Sequence, residues 1–336
     1  MTVLKARTCG AEAPRRDLRP RSVDAPTAGE DVDVEQLVTA HRATREPSGW
    51  GVADLRELLA GGRSAGELLV RYQPVVRTCD GEPLAAEALV RWRRPDGSLV
   101  APDGFVGVAE AHGLGAALDE LVLHEALHQV LRWDAAGVRV HRVGVNLGRS
   151  SIERPDLVEA VARACACAGT GPDRLVLEVL EHERLHLDDG VLDRLQALAD
   201  AGTTLAVDDF GCGYGDVGRL AQLPVGLVKL DRSLLPGSGT PLARTAPDAE
   251  RLLAAVTALA RGVGAEVTAE GVETPEQRAA CARAGIGHLQ GWLFAPALEP
   301  DAVVDLWRSY AASATAPGQD GGAAQPPEQQ LAASSS

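Results

Sequence analysis

The stretch RLVLEVLEHERLHLDDGVLDRLQALADAGTTLAVDDFG, residues 174–211, holds one full unit of the fold. Its ends are short apolar runs, Leu175–Val179 and Thr204–Asp208, and each closes on acid: Glu178 in the first, Asp208 and Asp209 in the second. Between them Asp188–Asp200 sets Leu192, Leu195 and Leu198 at helical spacing. Runs without polar alternation suit strands covered on both faces, and such strands are joined in parallel by a helical crossover.

The same rhythm extends outward in both directions. Further strands are expected at Val70–Val76, Ala85–Arg91, Arg142–Leu147, Leu227–Leu230, Ala265–Ala269 and Gly287–Gln290, and a further helix over Ala254–Val263. Eight strands with intervening helices between Leu69 and about Tyr310 suit an α/β fold of the (β/α)8 TIM-type barrel, with a doubly wound open sheet as the alternative. No GxGxxG follows the first strand and no GxxxxGK occurs, so nucleotide folds lack their phosphate cradle. Residues 1–50 are expected to be mostly disordered apart from a short helix over Val34–Arg45, 51–311 to form the folded domain opening on a helix at Val52–Ala60, and 312–336 to be a low-complexity tail.

Composition narrows the function. The formal net charge of −14 repels long polyanions, and with only 3% aromatic residues a base-stacking platform is not expected, so no DNA or RNA partner is expected. Six scattered cysteines without a CxxC pair suit a reduced, cytoplasmic protein. The first twenty residues carry no apolar signal segment and no run of about 18 apolar residues occurs, so neither secretion nor a membrane span is expected. The chain has 33 basic residues, yet its lysines are Lys5 and Lys229 alone, and its only asparagine is Asn146. In a chain this biased toward arginine, residues of those two types mark positions where a substitute does not serve.

The polar residues fall at the strand ends. Asn146, Glu178, Asp208 with Asp209, Lys229 with Asp231, Glu270 and Gln290 close successive strands, and Glu87 lies within the second. In a barrel those ends converge on one face, where active sites are built. Several carboxylates cannot crowd together bare, and an all-oxygen set suits hard divalent cations such as Mg²⁺ or Mn²⁺. Two adjacent aspartates can serve two metals with one carboxylate shared, the arrangement for in-line phosphoryl displacement. Lys229 can hold or deprotonate water, with a pKa lowered by neighbouring cations, where an arginine would stay charged. The residues alone therefore point to metal-assisted phosphodiester hydrolysis.

EALVRW at 87–92 resembles the signature of the EAL-domain family. YQPVV at 72–76 precedes it, and VNL at 145–147, EVLE at 178–181, DDFGCGY at 208–214, LPVGLVKLDRS at 223–233, AEGVET at 269–274 and QGWLF at 290–294 follow in family order. The resemblance covers roughly residues 70 to 310. It implies a modified barrel with an antiparallel first strand, and hydrolysis of cyclic di-GMP to linear pGpG with two Mg²⁺ or Mn²⁺ ions. It implies Glu87, Asn146, Glu178 and Asp208 as ligands of the first metal and Asp208 with Asp209 for the second. Glu270 and Gln290 complete the shell, and Lys229 positions or deprotonates the attacking water. Arg91 contacts a ligand phosphate, Gln73 lines the ligand groove, and Glu181 braces the loop after Asp209. A homodimer formed near that loop is also implied.

Some positions depart from the family's pattern. Leu180 replaces a threonine, Cys212, Gly215 and Asp216 change the loop after Asp209, Gly226 replaces an aspartate, and 236–247 reads as an insertion. None removes a metal ligand, but they keep open a catalytically weak or inactive module that binds cyclic di-GMP or a protein partner. HEALH at 124–128 matches a zinc-peptidase pattern, with His124 and His128 as ligands and Glu125 as base. Leu123, Ala126, Leu127 and Val130 form an apolar stripe that leaves His124 and His128 on the solvent side, so an outer helix is the better reading. Cys165 and Cys167 are read as packing residues.

Overall fold

The computed structural model describes residues 50–180, 187–211, 217–239 and 245–315. The nine strands are β1 (Glu67–Arg77), β2 (Pro83–Arg93), β3 (Leu99–Val100), β4 (Arg142–Leu147), β5 (Leu175–Leu180), β6 (Thr204–Phe210), β7 (Leu227–Leu230), β8 (Glu266–Ala269) and β9 (His288–Gln290). The order β1-β9-β8-β7-β6-β5-β4-β2, with β1 also paired to β2, closes eight of them into a barrel. That closure excludes the open doubly wound sheet. Strand β1 runs antiparallel to both neighbours, β2 and β9, and the pairs from β2–β4 through β8–β9 are parallel. All eight expected strands are present; β3, a two-residue ribbon on the edge of β2, is too short to leave a pattern in sequence.

The helices are α1 (Val52–Leu59), α2 (Val106–Ala111), α3 (Gly115–Ala135), α4 (Arg149–Glu153), α5 (Leu157–Ala168), α6 (Asp189–Asp200), α7 (Val217–Gln222), α8 (Ala246–Gly262), α9 (Pro275–Arg283) and α10 (Pro300–Thr315). Helix α6 starts where the Asp188 side chain accepts from the Val191 amide, and it buries Val191, Leu195 and Leu198. In α9 the Thr274 and Gln277 side chains form a capping box, and Pro275 occupies the first turn. The apolar stripe of α3 packs inward: Leu123, Ala126, Leu127 and Val130 are buried, whereas His124 is half-buried and His128 exposed. Glu125 pairs with Arg132 on the outer face. On α5, Cys165 is buried and Cys167 exposed, because two residues along a helix turn the side chain to the opposite side; only Cys165 packs. The expected helix at Val34–Arg45 lies outside the described residues, as do Glu181 and the altered positions Cys212, Gly215 and Asp216.

Two hydrophobic clusters fill the space between strands and helices. One joins β1, β2, β4 and β5 to α3 and α5, with Tyr72 edge-on to Trp133 at 4.7 Å; the other joins β6–β9 to α8 and α9.

Candidate active site

The carboxyl ends of β4–β9, with β2, bring the polar strand-end residues together. Lys229 on β7 is 1% exposed, and its Nζ faces four carboxylates: Glu178 at 2.6 Å, Glu270 at 2.8 Å, Asp208 at 3.2 Å and Glu87 at 3.3 Å. Asn146 donates to Glu87 Oε1 at 2.7 Å, and Gln290 donates to Glu87 Oε2 at 2.6 Å and to Gln73 Oε1 at 3.2 Å. Gln73 in turn donates to the Ala295 carbonyl at 3.3 Å. Glu87 is thus held from three sides, by β4, β7 and β9.

The cluster's geometry divides it into two overlapping triads. Carboxylate oxygens of Glu87, Glu178 and Asp208 lie within 4.8 Å of one another, and so do those of Asp208, Asp209 and Glu270. Asp208 belongs to both. In a regular strand neighbouring side chains point to opposite faces, so Asp208 and Asp209 could not join one cluster. Here the pairing of β6 with β7 slips between Val207 and Phe210, and Asp209 takes φ 56°, the one positive φ at a non-glycine residue among the described residues. Such bulges re-aim side chains, and the left-handed turn at Asp209 brings its carboxylate to the side of Asp208.

The electrostatics follow from burial and crowding. Burial pushes Glu178 and Glu270 well above the usual carboxylate range; Lys229 pulls them down, and the neighbouring carboxylates push up again. Burial also pushes Glu87 up, but Lys229 and the hydrogen bonds from Gln290 and Asn146 outweigh it and hold Glu87 below its ordinary value. For Lys229, burial pushes down, and the charges of Asp208, Glu178, Glu270 and Glu87 outweigh it, so its pKa stands well above the ordinary lysine range. This reverses the lowering expected from sequence, because the charges paired with Lys229 among the described residues are all negative. A lowered value requires cations among the carboxylates. Five carboxylates, four of them facing one ammonium, all oxygen donors and mostly buried, are a set that hard divalent cations fit.

Other expected residues take different places. Arg91 projects from β2 on the same face as Glu87, farther along the ribbon, and is half-buried; among the described residues its one side-chain bond goes to the Val90 carbonyl at 2.9 Å. Asp231 caps the short 3₁₀ turn at Arg232–Leu234 by accepting from Ser233 N at 2.8 Å and lies outside the cluster. Sequence reasoning missed Gly144. A Cβ there would stand 2.3 Å from Glu178 Oε1, so the carboxylate reaches the centre only over a bare backbone. An open cleft lies over the cluster and is also lined by Leu89, Arg232, Glu273 and Trp292.

A family model described as the EAL domain matches residues 53–297. The chain belongs to the EAL-domain family. It is similar to the cyclic di-GMP phosphodiesterase NbdA of Pseudomonas aeruginosa, with 35% identity over 276 residues, 82% of this chain and 34% of that protein. It is also similar to the bifunctional diguanylate cyclase/cyclic di-GMP phosphodiesterase MucR of the same organism, 34% identical over 240 residues, 71% of this chain and 34% of that protein. The chain therefore spans only 34% of the length of each of these two relatives. Among solved structures, the EAL domain here is similar to the PaMucR phosphodiesterase in complex with c-di-GMP, with TM-score 0.67, 33% identity, and coverage of 75% of this chain and 98% of that one.

Proposed function

We propose that this EAL domain hydrolyses cyclic di-GMP to linear pGpG, using Mg²⁺ or Mn²⁺ ions held by its strand-end carboxylates. The observation that carries the reading is Asp208's membership of two carboxylate triads around one buried lysine. Glu87, Asn146, Glu178 and Asp208 would hold one ion; Asp208 and Asp209, with Glu270, would hold the other. Bound there, such ions supply an activated water and neutralise charge on both oxygens of an in-line displacement.

The chain's own groups do the rest. Lys229 holds the attacking water and its proton among the carboxylates. Gln290 and Asn146 orient Glu87. Gln73, Gln290 and Arg91 line the path of the ligand, Arg91 with guanidinium donors free for a phosphate. Glu181 bracing the loop after Asp209, a homodimer formed near it, and a cytoplasmic location belong to the same proposal. Among the described residues no helix is long and apolar enough to cross a membrane.

The test is chromatography of cyclic di-GMP incubated with the protein and either cation, with Glu87→Ala and a chelator alongside. Appearance of pGpG that vanishes in both controls supports the reading. Binding of cyclic di-GMP without cleavage under either cation overturns the catalytic claim and leaves a receptor module.

A further inference from the structure

The antiparallel ribbon of β1 and β2 carries a second arginine that neither the family motifs nor the strand-end pattern picks out. The register pairs Gln73 with Glu87, Arg71 with Leu89, and Leu69 with Arg91. Directly paired residues share a face, and so do residues two apart. Arg71 therefore stands on the face that carries Gln73 and Glu87, opposite Leu89, which lines the cleft, and diagonal to Arg91.

Two guanidiniums on one face of a two-stranded ribbon repel each other, and the repulsion is felt: burial first and then Arg71 hold Arg91 below its ordinary value, with Glu87 and Asp103 acting the other way. Their donors are underused. Arg91 makes no ion pair among the described residues, and its one bond is to its neighbour's carbonyl. Among the described residues Arg71 has a buried Nε with no hydrogen-bond partner and a single ion pair, from Nη2 to Glu299 at 2.9 Å, in which Glu299 is 69% exposed. A solvent-facing pair of that kind adds little stability. Like charges placed side by side with spare donors suit a bound anion.

The site is thus polarised, with carboxylates at the strand ends and guanidiniums on the ribbon beyond them. A cyclic dinucleotide has two phosphodiesters on opposite sides of its ring. With one placed at the carboxylate cluster, the other is carried toward the ribbon. We propose that Arg71, together with Arg91, seats the phosphodiester that is not cleaved, and that Glu299 competes with that phosphate for Arg71. This rests on the phosphodiesterase reading and makes Arg71 a binding residue for the uncleaved half of the substrate. Such contacts are made equally in ground and transition states, so they act on KM rather than kcat.

The experiment compares kcat and KM for cyclic di-GMP in the full chain, Arg71→Ala, Arg71→Lys and Glu299→Gln. Arg71→Ala is expected to raise KM about tenfold to a hundredfold, the range for a lost charged hydrogen bond, with a much smaller change in kcat. Arg71→Lys is expected to fall between the two. Glu299→Gln, which frees Arg71, is expected to lower KM by about two- to fivefold. If the Arg71–Glu299 pair were merely structural, both neutralising variants would shift KM in the same direction, and that result overturns the proposal, as does an unchanged KM in Arg71→Ala. If the parent chain binds cyclic di-GMP without cleaving it, the catalytic reading fails separately, and the same opposed shifts are then required of the dissociation constants. If the parent neither binds nor cleaves it, both fall together.

Discussion

Lys229 is the hinge of the site's electrostatics at the scale of single residues. One buried ammonium faces four carboxylates within 3.3 Å. Lys229→Met would remove both the proton holder and the counter-charge, and cleavage is expected to fall by about 10² to 10⁴ in kcat. Lys229→Arg keeps the charge but cannot give up its proton, so it is expected to be nearly as slow; parent-like turnover in the arginine variant, measured as initial pGpG release, would remove the proton-handling role. Gly144 offers a second residue-scale test. Adding one methyl would place it 2.3 Å from Glu178 Oε1 and force that carboxylate aside. Gly144→Ala is expected to lose about 10- to 100-fold in Mn²⁺ affinity by titration, the range for displaced support of a ligand, while the far-ultraviolet circular dichroism stays that of the parent. The lysine was legible in the sequence because it stands out in an arginine-rich chain. The glycine was not, because its role depends on a carboxylate from the neighbouring strand leaning across it.

At the scale of elements, β4 and the turn after it show how the scaffold holds Asn146. Asp119 on α3 is buried, and its Oδ2 accepts from Gly148 N at 2.8 Å and Ser151 Oγ at 2.7 Å, tying α3 to the turn that follows Asn146. Burial pushes the Asp119 carboxyl up to about 6, partly countered by those two hydrogen bonds and reinforced by Glu110. Its folded pKa lies above the ordinary 3.8, so the stabilisation from its protonated form is complete below that ordinary value and is lost as pH rises through about 6. Asp119→Asn keeps an oxygen for both donors and carries no charge. Its melting temperature is expected to vary less across that window and, above it, to exceed the parent's by roughly a few °C; a variant as pH-dependent as the parent would show that Asp119 is not the titrating group. The strands themselves were readable as apolar runs because barrel strands are covered on both faces. The slip in β6 was not, since a bulge at Asp208–Asp209 leaves the residue types of an ordinary strand end and shows only in the pairing.

For the whole molecule, the formal charge of −14 opposes binding of long polyanions but not of a small diester, because the site concentrates its own mixture of acids and bases. The barrel and the antiparallel β1 were legible from eight motifs in order. Arg71 was not, since its direction is set by cross-strand register, which sequence periodicity alone does not give. The sequence also suggested a lowered Lys229, and the protein's own charges raise it; the difference is the charge that divalent cations would bring. The account therefore stands on Asp208 being shared between two cations. The direct measurement is a Mn²⁺ titration of the intact chain followed by electron paramagnetic resonance, with Asp208→Ala beside it. The result expected is two ions per chain with a spin-coupled signal that disappears in the variant. One isolated ion, or two uncoupled ions insensitive to the loss of Asp208, would contradict it.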